Sequence, residues 1–482
     1  MKLSTICLVL IIILTSLLRF YKLTDDPPHL YWDEAAIAYN AYSVNLTGKD
    51  EWGEKYPVLF KSFGEYKLPF YIYATTVSQK IFGLNDFSVR LPSALAGTLL
   101  ILASYYLVKQ LFFTQKTALL ASLFVAIAPW ALQFSRAGFE ANVALLFVTL
   151  GVFLFLRQKL VVSFLFFAAA IYTYQGAVIA TPLILALLVF VHHKILHPWG
   201  KRLLPAVVLF LVVIWPFFSS YVLSDKGHTR ATSENFLNMP GSPATNFVTN
   251  YVSNYSLDYL FFHGDQDGRH SVKKLGQLYL WQLPTIFIGL YVLLRRRTTA
   301  GCLIIGWILI ANLPPALTTV SPHALRGLLA MVGWQILSAV GAVFLLTRLP
   351  RFWRFLGVAI FAYALVVYLH LYYVHYPIAY AADWQDGRRQ TIAFVKSVEA
   401  NYDHIYIGKD FEPIYLRLYW PIEPGKELGK FVYFDPKVEP PPGPSGQRSL
   451  IIAPPWFTDP RANVIRQIKM AGGEPIFNVY DF

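Results

Sequence analysis

The chain has 482 residues, of which 56% are hydrophobic and only 14% charged, with a formal net charge of +13. A soluble globular chain carries about 25% charged residues, and here the shortfall runs in long blocks: the 115 residues between Asp267 and Asp383 hold no carboxylate. These features argue against a soluble enzyme, a disordered chain or a nucleic-acid binder, and describe a polytopic membrane protein.

Eleven apolar segments approach the length a spanning helix needs, at about residues 3–20, 88–108, 117–134, 140–156, 160–175, 177–193, 203–222, 276–294, 301–316, 326–347 and 353–374. The first is read as an uncleaved anchor, because Thr15-Ser16-Leu17-Leu18-Arg19-Phe20 offers no small-x-small cleavage site. With Lys2 inside, the inner loops and span ends carry Lys2, Lys109, Lys116, Arg157, Lys159, Lys194, Lys201, Arg202, Arg295, Arg296, Arg297, Arg348, Arg351 and Arg354, and no acidic residue. That leaves 27 basic residues against 28 acidic ones elsewhere. The excess is a positive-inside signature, predicting a multi-pass plasma-membrane protein with a cytoplasmic N-terminus. It carries no nucleic-acid signal. Cys7 and Cys302 fall near inner span ends, which leaves no extracytoplasmic disulfide. Asn45-Leu46-Thr47 and Asn254-Tyr255-Ser256 are glycosylation sequons on the outer side.

Three outer segments exceed simple turns. Residues 21–87 hold amphipathic patterns near Asp33–Val44 and Lys67–Ile81 that can lie along the membrane surface. Residues 223–275 are rich in Asn, Ser, Thr, Gly and aromatics, as in an ordered loop. Beyond 375 the spans stop. His404–Gly408, Lys430–Phe434, Ser449–Ala453 and Pro475–Val479 read as strands, Gln390–Ala400 and Pro460–Met470 as helices, and Glu439–Pro444 as a loop. The expected organisation is a helical membrane domain over 1–375 and a small extracytoplasmic α/β domain over 376–482.

The densest chemical signal is Pro27-Pro28-His29-Leu30-Tyr31-Trp32-Asp33-Glu34-Ala35. Two adjacent carboxylates can be reactive groups or helix caps, and spacing leaves both readings open. Glu65-Tyr66-Lys67-Leu68-Pro69 follows, then Phe87-Ser88-Val89-Arg90-Leu91-Pro92-Ser93-Ala94-Leu95-Ala96-Gly97 at the start of the second span. Together these segments resemble the GT-C-fold membrane glycosyltransferases, in particular the protein O-mannosyltransferases and aminoarabinose transferases (glycosyltransferase family 39 and relatives). The likeness covers about residues 1–160 well, and the later spans through topology only.

The resemblance implies sugar transfer from a polyprenyl-phosphate carrier to an acceptor lipid, glycan or protein hydroxyl on the outer face of the membrane. It assigns the catalytic carboxylate to Asp33, a shaping role to Glu34 and contact with the lipid phosphate to Lys67. Glu-Tyr-Lys-Leu-Pro departs from the adjacent Glu-Lys of the aminoarabinose branch, which leaves Glu65 without an assigned role. The chemistry suits such residues. A carboxylate can take the acceptor hydroxyl's proton, and a cation can stabilise the charge gathering on the leaving phosphate. Single displacement with inversion requires no cofactor.

Further clamp candidates are Arg136 and Arg326. Arg136 and Glu140 are the only charges between Lys116 and Arg157; they can pair, meet headgroups or contact substrate. Ser321-Pro322-His323-Ala324-Leu325-Arg326-Gly327 precedes the tenth span, and Arg326, with no acidic neighbour in sequence, suits a phosphate, with His323 beside it. In the second long loop, His263, Asp265, Asp267 and His270 can bind a divalent metal, line the substrate site or merely structure the loop. Tyr31, Trp32, Tyr172 and Tyr174 are candidate sugar-stacking rings. A lipid-linked-sugar flippase or an oligosaccharyltransferase-type enzyme are the alternatives; the first needs a polar path that the spans scarcely supply.

Overall fold

The computed structural model describes residues 3–112, 114–193, 200–227, 234–426, 429–438 and 447–481. Lys2, Lys194 and the Pro-rich loop at 439–444 lie outside them. Among the described residues, six helices are long and apolar enough to cross a membrane: Leu3–Phe20 (α1), Asp86–Phe112, Leu203–Val222, Thr299–Ala316, Leu328–Arg348 and Arg351–Ala379. The protein is therefore a multi-pass membrane protein.

The count of eleven spans is not established. Each predicted apolar segment coincides with a helix, but several helices are cut short by breaks that an apolar window passes over. Gln115–Ile127 and Pro129–Ser135 meet at a 55° bend and make a seventh span only if they count as one. Ala128, before Pro129, is extended at φ −54° and ψ 131°, as the proline ring requires of its predecessor. Glu140–Leu156, Leu160–Ile171 and Gln175–Val191 are apolar but shorter, and Gln282–Arg296 has 15 residues.

The chain divides into two compact units. One comprises Met1–Leu23, Val58–Ala74 and Arg90–Leu371, and the other Thr24–Pro57, Thr75–Val89 and Tyr372–Phe482. The division differs from the boundary expected at 375, since segments before residue 90 join the C-terminal unit. Trp32–Thr47 forms a helix (α2) whose residues Ala35 to Tyr39 are fully buried. An apolar surface of that extent needs a cover, and the C-terminal region supplies it. Tyr39 donates to the Ile422 carbonyl at 2.8 Å, and Tyr415 to the Leu30 carbonyl at 3.1 Å.

The second unit contains a five-stranded sheet in the order β4-β3-β5-β7-β6. Its strands are β3 (His404–Gly408), β4 (Phe431–Phe434), β5 (Ser449–Ala453), β6 (Asn463–Lys469) and β7 (Pro475–Asp481). β3 pairs in parallel with β4 and β5, while β7 runs antiparallel to β5 and β6. The expected helix over 460–470 is instead β6, an edge strand paired to β7. Its Val-Ile-Arg-Gln-Ile run fits either period over so few residues, and the open edge of β7 decides. Arg388–Val398 is helical as expected, and Pro413–Tyr419 is an additional helix.

Candidate active-site residues

Asp33 and Glu34 occupy the first turn of α2, in the second unit. Glu34 is fully buried, and its Oε2 accepts from the Tyr31 amide at 3.3 Å. The capping role therefore falls to Glu34. Asp33 is only partly buried. The segment before it is held by the C-terminal region. Gln385 Oε1 accepts from the Trp32 amide at 3.3 Å, and the Tyr31 ring meets Trp384 edge-on at 5.4 Å. His29 Nε2 lies 2.8 Å from Asp386 Oδ1. Burial pushes the Asp386 carboxyl up, but the His29 contact and the Ala471 amide outweigh it and bring it down to about 2.

In the first unit, Lys67 ends β2 (Glu65–Lys67), which pairs antiparallel with β1 (Phe60–Ser62) so that Phe60 faces Lys67. The flanking Leu59 and Leu68 are buried with Ile171 and Phe217. Gln175 Nε2 also donates to the Tyr66 carbonyl at 3.1 Å. Lys67 thus stands on a hairpin tied to the helices at two points, and its side chain is partly buried.

Arg136 is fully buried, and its guanidinium donates to the carbonyls of Leu18, Arg19, Tyr21 and Lys22. These lie at the C-terminal end of α1, where carbonyls lack helical partners. The Arg-Leu-Pro-Ser-Ala segment serves the same junction. Arg90 Nη1 donates to the Leu23 carbonyl at 2.9 Å, and Ser93 to the Phe134 carbonyl at 3.0 Å. Glu140 is partly buried in the first turn of its helix.

The second long loop meets the 321–326 segment within this same unit. Asp265 Oδ2 accepts from the Ala324 amide at 2.6 Å, with His270 Nδ1 at 3.2 Å and His323 Nδ1 at 3.9 Å. Burial would raise the Asp265 carboxyl; the His270 hydrogen bond and the two imidazoles hold it down at about 2. His323 is pushed well below the usual histidine range by burial, with His270 and Arg326 adding to the effect. Asp267 is taken up by Arg269, at 2.6 Å between Oδ2 and Nη2. His263 pairs with Asp258 in a largely exposed position.

Arg326 forms an ion pair with Glu234 and donates to Thr318 Oγ1 at 2.7 Å. Arg326 has no acidic neighbour in sequence, but the fold brings it Glu234 from 92 residues away. Of the four aromatic candidates, Tyr172 and Tyr174 bond backbone carbonyls of Val213 and Leu325, Tyr31 packs on Trp384, and Trp32 is exposed. Of the sequon asparagines, Asn45 is partly buried with its Nδ2 donating to the Thr76 carbonyl, and Asn254 is buried against Asn250 and Ser321.

The fold is that of the GT-C membrane transferases. ArnT from Cupriavidus metallidurans in the apo state superposes with a TM-score of 0.63 at 16% identity, over 99% of this chain and 98% of that one. The same ArnT bound to undecaprenyl phosphate gives 0.62 at 16% identity, over 98% and 97%. The archaeal oligosaccharyltransferase AglB from Archaeoglobus fulgidus, in complex with an inhibitory peptide and a dolichol-phosphate, gives 0.53 at 15% identity, over 88% of this chain and 64% of that one. Residues 67–219 match the dolichyl-phosphate-mannose-protein mannosyltransferase family, so the resemblance read from the motifs is borne out. Among curated proteins, no sequence matches the chain significantly.

Proposed function

We propose that this protein is a glycosyltransferase that moves a single sugar from a polyprenyl-phosphate carrier to a hydroxyl acceptor at the outer face of the plasma membrane, with its N-terminus cytoplasmic. The observation that carries the reading is the likeness to ArnT over nearly the whole of both chains, including the form bound to undecaprenyl phosphate. The family match over 67–219 supports it from sequence.

Asp33 takes the proton of the acceptor hydroxyl as that oxygen attacks the anomeric carbon. The bond from this carbon to the phosphate oxygen breaks with inversion, and the electron pair leaves on the polyprenyl phosphate. Lys67 is assigned to that phosphate, where a cation binds the transition state more tightly than the ground state. Arg326 and Arg136 are further candidates for the same phosphate, beside the Glu234 ion pair and the α1 carbonyls they hold. Purified protein in vesicles, supplied with labelled polyprenyl-phosphate monosaccharides and envelope extract, tests the reading. Asp33→Asn should remain folded and lose transfer by roughly 10²–10⁴-fold, the usual worth of a general base. Label that only changes leaflet, equally in both proteins, would support a flippase instead.

A further inference from the structure

The structure assigns a site for a divalent transition metal ion, zinc by its donor chemistry, to Asp265, His270 and His323. One ligand atom from each lies within 4.8 Å of the other two. The imidazole Nδ1 atoms of His270 and His323 approach one carboxylate oxygen, Asp265 Oδ2, at 3.2 and 3.9 Å. Zinc bonds of about 2.0–2.2 Å in tetrahedral geometry set neighbouring donors roughly 3.3–3.5 Å apart. Small side-chain rotations therefore bring the three onto one ion.

A hydrogen-bonded cluster without metal leaves this arrangement unexplained. His323 Nδ1 is buried and has no hydrogen-bond partner, whereas buried ring nitrogens are ordinarily satisfied. Asp265 Oδ2 already accepts the Ala324 amide, so it cannot serve both imidazoles well. An ion drawing on both nitrogens and the carboxylate satisfies all three groups. Two imidazoles and one carboxylate favour zinc or a similar transition metal over magnesium or calcium. A water can complete the tetrahedron.

The surroundings suit an ion. The Ala324 amide orients the carboxylate, and the Trp130 indole holds the Ala324 carbonyl at 2.9 Å. Phe134 and Phe139 flank the His270 ring at 5.5 and 5.8 Å and help keep water out. The three ligands come from two segments separated by more than fifty residues, so an ion there clasps the second long loop to the 321–326 segment. The proposal does not rest on the transferase reading.

The test uses full-length protein in detergent, stripped with a chelator and reloaded with Zn²⁺ or Co²⁺. Elemental analysis should find about one ion per chain after reloading, and Co²⁺ should give the strong visible absorption of a tetrahedral site. Added Zn²⁺ should also raise the melting temperature of the wild type. His323→Gln and Asp265→Asn should each lose the retained ion and the Co²⁺ band, while His375→Ala keeps both. Wild-type protein that retains no ion, or shows only the weak absorption of hydrated Co²⁺, would overturn the assignment without reference to any variant. Equal retention by His323→Gln would do the same.

Discussion

Arg136 Nη1 donates to the carbonyl oxygen of Leu18 at 2.6 Å, across 118 residues of sequence. The same guanidinium reaches the Tyr21 carbonyl at 2.7 Å. A planar cation with five donors is suited to collecting carbonyls at a helix C-terminus, and an ammonium cannot span them. Arg136→Lys keeps the charge but should lower stability by about 2–4 kcal/mol, because buried carbonyls lose their partners. Thermal melting in detergent reads this out, and the KM for the sugar donor should not change. An unshifted melt with a raised donor KM would restore Arg136 to the substrate.

Gly97 marks the closest approach at this junction. A Cβ there would stand 2.5 Å from Ser135 Cβ and 2.8 Å from Arg19 Nε. Gly97→Ala should cost about 1–3 kcal/mol by overpacking, seen as a lower melting temperature. Gly357→Ala is the control, since nothing lies within 4 Å of its added methyl. That variant should melt at or slightly above the wild type, alanine being the better helix former.

The apolar helices were legible because each is a long run of one residue class. Their number was not, since breaks at Pro129 and at Tyr172–Tyr174 hardly alter the local composition. Asp33 was legible as the start of an amphipathic stretch, and Glu34 as a cap follows from helix-start chemistry alone. The division into units was hidden, because the partner of α2 lies more than 300 residues downstream and local periodicity carries no record of it. The same limit hid Glu234 from Arg326. It also kept His323 apart from Asp265 and His270, while neighbouring His263 and Asp267 looked equally eligible.

The Arg326–Glu234 pair makes a direct prediction. Glu234 is 34% exposed and Arg326 12%, so solvent screens part of the attraction. A double-mutant cycle with Glu234→Gln and Arg326→Gln should give a coupling of about 1 kcal/mol in stability. If the pair is structural, neither change alters the donor KM by more than about twofold, well under the tenfold that 1.4 kcal/mol of binding represents. A donor KM that falls in Glu234→Gln and rises in Arg326→Gln would mean that the carboxylate competes with the lipid phosphate.

Glu51 supplies a pH dependence whose sign can be worked out. Burial lifts its carboxyl from 4.5 to about 6, against the hydrogen bond that Asn40 Nδ2 donates. That bond is 3.0 Å long, and Asn40 Oδ1 accepts the Glu51 amide at 3.1 Å. The unfolded chain keeps the lower value. Between pH 4.5 and 6 the folded state therefore holds more protons than the unfolded one, and stability falls as pH rises through that window. Above it the charged, buried carboxylate costs on the order of 1–2 kcal/mol. Glu51→Gln removes the charge and keeps an oxygen for Asn40. It should melt higher than the wild type at pH 7.5, with an advantage that shrinks by more than half at pH 5. An advantage of the same size at both values would trace it to packing instead of charge.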